Sequence, residues 1–116
     1  MSPTDEPLPL LKGTLDLLVL KTLSWGPMHG FGISSWLETQ SDGALGVDDS
    51  ALYQALHRLE GRGYVEAEWG VTENNRRARW YRLTPAGRRH LQAETDTWMR
   101  YTRSVTSILV LAGRPA

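Results

Sequence analysis

The chain has 116 residues, 41% of them hydrophobic and 22% charged, which is enough for one small domain with a single core. It has no cysteine, so disulfide bonds and thiolate zinc sites are excluded. The formal net charge of zero argues at first against nucleic-acid binding, because a strongly basic domain is the usual sign of that function.

The first nine residues are predicted to form a flexible tail. They include Asp5, Glu6 and three prolines, and they contain neither a basic segment nor a long apolar run. These features argue against a signal peptide and against a membrane anchor. We therefore expect a cytoplasmic protein that has no membrane partner.

Two helices are predicted to follow this tail. The first covers residues 10–24 and places apolar side chains on a wide face, namely Leu11, Leu15, Leu18, Val19, Thr22 and Leu23. Gly26 and Pro27 break the pattern, and helical spacing resumes over residues 29–40 with Ile33, Trp36 and Leu37 on the buried side. Residues 41–46 have the composition of a turn, so the second helix and the one after it form a helix-turn-helix pair.

A third, short helix is predicted over residues 47–64. Asp48 or Asp49 can cap its first turn, and Gly61 or Gly63 can end its last turn. Apolar residues at three- and four-residue spacing form one buried stripe, namely Leu52, Ala55, Leu56 and Leu59. The other faces are polar and aromatic, with Tyr53, Gln54, His57 and Arg58. Taken alone, this composition also fits an ordinary solvated helix.

A β-hairpin is predicted directly after the third helix. Residues 65–69 alternate in polarity, residues 70–76 carry turn formers, and residues 77–83 resume a strand rich in aromatic side chains. Six arginines and no acidic residue lie between Asn74 and Arg89, so the positive charge is concentrated here although the net charge is zero. A capped helix followed by a basic hairpin is the order expected of a winged helix-turn-helix, in which the helix enters the DNA major groove and the hairpin lies along the backbone.

The last predicted helix is long. Thr84 and Pro85 supply a cap and a first-turn proline, and the helical pattern then runs to residue 112, about 40 Å at a rise of about 1.5 Å per residue. Apolar residues recur on one side, namely Leu91, Trp98, Tyr101, Val105 and Ile108. A small domain cannot cover so long a stripe, so we expect a second copy of the chain to cover it. The alternative is a helix that packs only on its own domain and leaves these side chains partly in water.

Four segments of the chain resemble the PadR family of bacterial transcription regulators. They are Leu11-Lys12-Gly13-Thr14-Leu15, Gly26-Pro27-Met28-His29-Gly30-Phe31, Leu52-Tyr53-Gln54-Ala55-Leu56-His57-Arg58-Leu59-Glu60 and Arg79-Trp80-Tyr81-Arg82-Leu83-Thr84-Pro85-Ala86-Gly87. The resemblance runs in consistent order over residues 10–110, which is more specific than any single motif. It implies a winged helix-turn-helix, a homodimer built by the last helix, and repression relieved by a small molecule.

The predicted architecture is an α+β winged helix-turn-helix of three helices and a two-stranded wing, followed by a long C-terminal dimerisation helix. Its predicted segments are a flexible tail (1–9), the DNA-binding domain (10–83), the dimerisation helix (84–112) and a second tail (113–116). The expected partners are a pseudo-palindromic double-stranded operator and a second copy of the chain.

The predicted DNA contacts fall into two groups. Base edges are assigned to the third helix, through Tyr53, Gln54, His57 and Arg58, and Ser50 of the same helix is a further predicted DNA contact. Phosphates are assigned to the start of the second helix and to the wing, through His29, Gly30, Asn74, Asn75, Arg76, Arg77 and Arg79. Two positions depart from the family pattern, which favours Tyr at Phe31 and Pro at Gln54. The first change removes a hydroxyl that can contact phosphate, and the second adds an amide that can read a base.

Trp98 is predicted to lie at the dimer seam, where it can stack on a planar hydrophobic effector. The alternative is ordinary interface packing, which is the commoner use of tryptophan in small proteins.

A catalytic role is not expected. His29, His57 and His90 are scattered along the chain, and the sequence has no phosphate-binding glycine loop. Asp48 and Asp49 are better explained as a helix cap than as metal ligands, and no cofactor is predicted. The remaining alternative is a winged-helix protein-interaction module without sequence-specific DNA binding. Such a module would lack the arginine-rich wing and would carry an apolar face on the third helix.

Overall fold

The computed structural model describes residues 8, 10–11 and 13–113. Its elements in chain order are α1 (Thr14–Leu23), β1 (Met28–His29), α2 (Gly30–Gln40), α3 (Asp49–Gly61), β2 (Val65–Val71), β3 (Arg77–Leu83) and α4 (Pro85–Leu109). The predicted α+β winged helix, with three helices, an antiparallel wing and a long last helix, is confirmed. Apart from Leu8 and Gly113, the predicted tails lie outside the described residues.

The first helix begins later than the sequence predicted. Gly13 precedes α1 with φ 86°, a left-handed conformation that glycine adopts easily, so the helix starts at Thr14 and not at residue 10. Leu15, Val19 and Leu23 are buried as expected, whereas Leu11 is exposed. Leu20, which lies outside the predicted buried face, is almost fully covered. The buried side of α1 is therefore rotated slightly from the predicted one.

Helix α3 agrees closely with the prediction. The Asp48 carboxylate caps it by accepting a hydrogen bond from the Ala51 N–H at 3.1 Å. The stripe of Leu52, Ala55, Leu56 and Leu59 is buried in the core between α1, α2 and the sheet. Gly63 takes φ 79° just after the helix, which lets the chain turn into β2.

The sheet has three antiparallel strands in the order β1-β3-β2. The wing pairs Val65 with Leu83 at its base and Val71 with Arg77 near its tip. The two-residue strand β1 was not predicted, and it pairs Met28 and His29 with the opposite edge of β3. This extra strand attaches the start of α2 to the wing.

A close backbone contact sets the direction of α4. The Thr84 hydroxyl caps the helix by accepting from the Gly87 N–H at 3.0 Å, and it donates to the Gly63 carbonyl at 2.7 Å. A Cβ atom at position 87 would collide with the Tyr64 carbonyl oxygen, so only glycine fits there. Helix α4 is therefore fixed at its start to the base of the wing.

The two halves of α4 have different surroundings. Its first half packs on α1, and Leu91, Thr95 and Trp98 are partly buried there. Every residue from Arg103 to Gly113 is exposed. Among the described residues, no helix combines the length and the apolar character needed to cross a membrane.

Candidate nucleic-acid interface

The outward face of α3 brings together the five residues of this helix that were predicted to bind DNA. One shallow, open depression is lined by Ser50, Tyr53, Gln54, His57 and Arg58. All five are exposed, because the helix turns its apolar stripe toward the core and leaves these positions to solvent. The depression offers hydroxyl, amide, imidazole and guanidinium groups on a single helical face, which suits recognition of base edges in a major groove.

Tyr53 joins this face to the start of α2. A Cβ atom at Gly30 would lie 2.7 Å from the Tyr53 Cζ atom, so the ring rests directly on the Gly30 backbone. Glycine at this position therefore permits the close approach of α2 and α3. The ring of Tyr53 remains about half exposed and faces the same surface as Gln54 and His57.

His29 is buried and acts as the cap of α2. Its Nδ1 atom accepts a hydrogen bond from the Gly32 N–H at 3.1 Å, and its ring packs edge-on against Trp80 with 4.9 Å between centroids. Its Nε2 atom lies 4.0 Å from a Glu73 carboxylate oxygen near the wing turn. His29 was predicted to hold a phosphate, but these contacts place its ring inside the junction between α2 and the wing.

The wing turn presents four of the predicted phosphate-binding residues. Asn74, Asn75, Arg76 and Arg77 are all exposed. The Thr72 hydroxyl organises the turn by accepting from the backbone N–H groups of Asn74 and Arg76, at 3.3 and 3.2 Å. Thr72 was not singled out from the sequence, although threonine at a turn is a known local signal.

Arg77 is further positioned by an aromatic side chain that the sequence analysis did not assign to the site. Its guanidinium carbon lies 4.5 Å from the centroid of the exposed Trp69 ring on β2. Such cation–π stacking restrains an arginine without neutralising its charge. Arg77 therefore keeps its full positive charge at the wing tip.

In contrast to Arg77, three arginines on α3 and β3 form ion pairs with carboxylates. Arg58 on α3 bonds Asp16 on α1 at 2.6 Å, Arg79 bonds Glu60 at 3.0 Å, and Arg82 bonds Glu66 at 2.7 Å. The hydrogen bond to Asp16 raises the pKa of Arg58, and the bond to Glu66 raises the pKa of Arg82. Arg79 was predicted to contact phosphate, but its guanidinium points back to α3. Arg76 and Arg77 have no carboxylate partner among the described residues, so the unpaired positive charge of the wing lies there.

The residues predicted for the dimer and effector surface follow one side of α4. Leu91 and Trp98 are partly buried, and Trp98 borders two crevices between α4 and α1. Tyr101 and Ile108 are exposed by 63% and 72%, and Val105 by 37%. Trp98 therefore marks the boundary between the covered and the uncovered part of the helix.

Solved structures with this fold include transcriptional regulators. A transcriptional regulator from Clostridium thermocellum is 29% identical, has a TM-score of 0.75, and is matched over 85% of this chain and 92% of that chain. A PadR family transcriptional regulator from Eggerthella lenta is 28% identical, has a TM-score of 0.72, and is matched over 87% and 86%.

A third similar structure is Bacillus subtilis PadR in complex with operator DNA. It is 18% identical with a TM-score of 0.62, and the match covers 89% of this chain and 50% of that chain. At this identity the likeness concerns the fold. Residues 19–93, more than half of the chain, match the family model of the transcriptional regulator PadR-like family. The chain therefore belongs to the PadR-like family of transcriptional regulators.

Proposed function

We propose that the protein binds double-stranded DNA as a homodimer and represses transcription from a pseudo-palindromic operator. The main support for this proposal is the arrangement of α3 and the wing around the first turn of α2. The polar face of α3 borders that turn through Tyr53, and the wing borders it through Trp80 and Glu73. Helix α3, which is suited to the major groove, and the basic wing, which is suited to the DNA backbone, therefore lie next to the same surface of the protein.

Within this interface, base reading falls to α3. Gln54 and His57 lie near the middle of the exposed face, where a helix in the major groove approaches the base edges most closely. The Gln54 amide can both donate to and accept from adenine, which distinguishes adenine from the other bases. Tyr53, Ser50 and Arg58 border the face and contact bases or phosphates at its margins.

Phosphate binding falls to the wing tip and to the start of α2. Arg76 and Arg77 are exposed and form no ion pair within the described part of the chain, and Asn74 and Asn75 add neutral donors beside them. At the start of α2, the expected donors are backbone N–H groups of the first turn other than that of Gly32, which already donates to the His29 Nδ1 atom. Arg79 serves to brace the wing against α3 through Glu60.

The dimer is proposed to form along α4. Beyond Trp98 the apolar side of this helix is mostly exposed within the described chain, and it continues through Ile108 and Leu109, which are exposed by 72% and 77%. A monomer with this surface would expose a contiguous apolar patch, which soluble proteins generally avoid. Two copies related by a two-fold axis would cover the same surface on each other.

The effector is proposed to be a planar hydrophobic molecule that stacks on Trp98. Trp98 is only partly buried and borders open crevices, so one ring face can accept a ligand at the start of the uncovered stretch. A ligand that prefers another opening of the dimer must weaken DNA binding by the same factor by which DNA weakens ligand binding. Quenching of Trp98 fluorescence by flat dyes, compared with Trp98→Phe, should therefore parallel the release of DNA.

Selection from a random pool of duplexes tests the main proposal. The protein should enrich one sequence with two inverted half-sites, and fluorescence anisotropy should give an affinity for it at least about 10³-fold above that for random DNA. Enrichment of no sequence would favour the alternative of a winged-helix module that binds other proteins.

A further inference from the structure

The ion pair between Arg58 and Asp16 has a specific geometry. Arg58 Nη2 donates to Asp16 Oδ1 at 2.6 Å, and Arg58 Nε donates to Asp16 Oδ2 at 3.4 Å. The carboxylate therefore meets the side edge of the guanidinium group. The two residues are 42 positions apart, so the pair links the first turn of α1 to the exposed side of α3.

This geometry leaves the end edge of the guanidinium free. An arginine has five N–H donors, and the side-on pair uses the Nε hydrogen and one Nη2 hydrogen. Among the described residues, no other acceptor is bonded to the two Nη1 hydrogens or to the second Nη2 hydrogen. The Arg58 side chain is 47% exposed while Asp16 is 21% exposed, so Arg58 is the member of the pair that is more accessible to a partner from solvent.

The free edge matches one base in particular. In the major groove, guanine presents the O6 and N7 acceptors side by side, which suits two parallel N–H donors of an arginine. Adenine presents N7 beside an amino group, so one donor would meet another donor. An arginine held end-on to the groove therefore favours guanine over adenine.

The ion pair with Asp16 also changes the contribution of Arg58 to DNA binding. A free arginine loses rotamer freedom when it binds, and a restraint that exists before binding lowers that cost. The negative charge of Asp16 offsets the positive charge of Arg58, so the pair adds little to the sequence-independent attraction for phosphates. Arg76 at the wing tip has no such partner among the described residues and is suited to that attraction.

We propose that Asp16 is a positioning residue that holds Arg58 for end-on recognition of one guanine in each half-site. This inference rests on the proposed DNA-binding function. It adds that α1 contributes to sequence specificity, because Asp16 on α1 positions Arg58 on α3. It makes Asp16 a determinant of sequence preference although it lies outside the recognition helix.

The experiment uses the full chain and the duplex that the wild-type protein selects from a random pool. Each guanine of that duplex is replaced in turn by 7-deazaguanine, which pairs normally but lacks the N7 acceptor. For the wild-type protein, replacement at one guanine of each half-site should weaken binding about tenfold. Asp16→Asn and Arg58→Ala should each reduce this loss to within about twofold, and Arg58→Lys should do the same because it lacks the planar fork.

Glu66→Gln is the matched control. It removes the carboxylate from Arg82 on the neighbouring strand and should leave the response to 7-deazaguanine unchanged. Circular dichroism and the thermal midpoint of Asp16→Asn check that its fold is retained, which is expected because partly exposed ion pairs contribute little to stability.

The outcomes separate this inference from the function on which it rests. If no duplex is enriched, both are overturned. If the wild-type protein binds its selected duplex but Asp16→Asn keeps the full response to 7-deazaguanine, only the role of Asp16 is overturned. If Asp16→Asn or Arg58→Ala changes the affinity for selected and random duplexes equally, Arg58 contacts phosphate or only joins α1 to α3, and the inference is likewise overturned.

Discussion

Helices α3 and α4 are both amphipathic, but only α3 has its apolar side covered along its whole length within the described chain. The buried stripe of α3 packs into the core, and its exposed face is polar. The second half of α4 exposes apolar residues such as Ile108 and Leu109 beside polar ones. The recognition surface proposed on α3 lies within one chain, whereas the exposed apolar side of α4 needs another surface to cover it. This contrast supports the proposal that α3 contacts DNA and that α4 forms the dimer.

The largest expected effect, on assembly and DNA affinity, comes from placing charges on the exposed apolar side of α4. Val105→Glu combined with Ile108→Glu should place charges in the seam and convert the dimer to a monomer. Because both half-sites must then be bound independently, affinity for the selected duplex should fall by about 10²- to 10⁴-fold. Sedimentation equilibrium measures the assembly and anisotropy measures the affinity.

Ser107→Glu is the control for the added charge, since residue 107 is exposed and its place in the helical repeat turns it away from the apolar stripe of α4. It should keep both the dimer and the DNA affinity. A dimer that survives the Val105 and Ile108 changes would place the interface elsewhere on the chain.

The next largest effect concerns stability and compares a buried leucine with an exposed one. Leu56 on α3 is 1% exposed, so Leu56→Ala should lower the free energy of unfolding by about 2–5 kcal/mol. Leu109→Ala, made in the monomeric Val105→Glu and Ile108→Glu chain, should change it by less than about 0.5 kcal/mol. Urea denaturation measures both, and a large decrease from Leu109→Ala in the monomer would mean that α4 packs on its own domain.

A smaller and more selective effect is expected within the recognition face. Gln54→Ala should cost about 1–3 kcal/mol of binding at one base pair in each half-site, because the amide reads the edge of a base. Binding to random DNA should be nearly unchanged. Equal decreases on selected and random duplexes, measured by anisotropy, would show that Gln54 does not read sequence.

The smallest effect concerns the wing. Arg76→Ala with Arg77→Ala should weaken binding to all duplexes alike and reduce the log–log dependence of affinity on salt by about one unit for each phosphate that the wing no longer neutralises. Arg79→Met should leave that slope unchanged, because Arg79 is engaged by Glu60. A salt titration of the three chains decides between these outcomes.

The sequence predicted the parts of the fold that depend on local signals. Helix α3 was placed almost correctly because Asp48 provides a cap and leucines recur at helical spacing. Strand β1 was missed because two residues, Met28 and His29, are too few for a periodic pattern. The start of α1 was placed too early because the apolar pattern continues before Gly13, whose conformation ends it.

The candidate site could be predicted only in part from the sequence, for a different reason. Exposed residues of α3 share one face because helical geometry fixes their spacing, so their grouping could be predicted. The ionic partners of Arg58 and Arg79 lie 42 and 19 residues away, and no local pattern connects them. Which arginines are free to meet DNA therefore depends on tertiary contacts that only the folded chain reveals.

The central claim is that two chains act together on one operator, each through α3, and hydroxyl-radical footprinting on the selected duplex with sedimentation of the complex tests it most directly. We expect two chains per duplex and two protected regions about 34 Å apart, one helical turn, on the same side of the DNA. Protection should disappear at equal concentration for the Val105→Glu and Ile108→Glu chain. A complex with one chain per duplex, or uniform protection along the DNA, would contradict the claim.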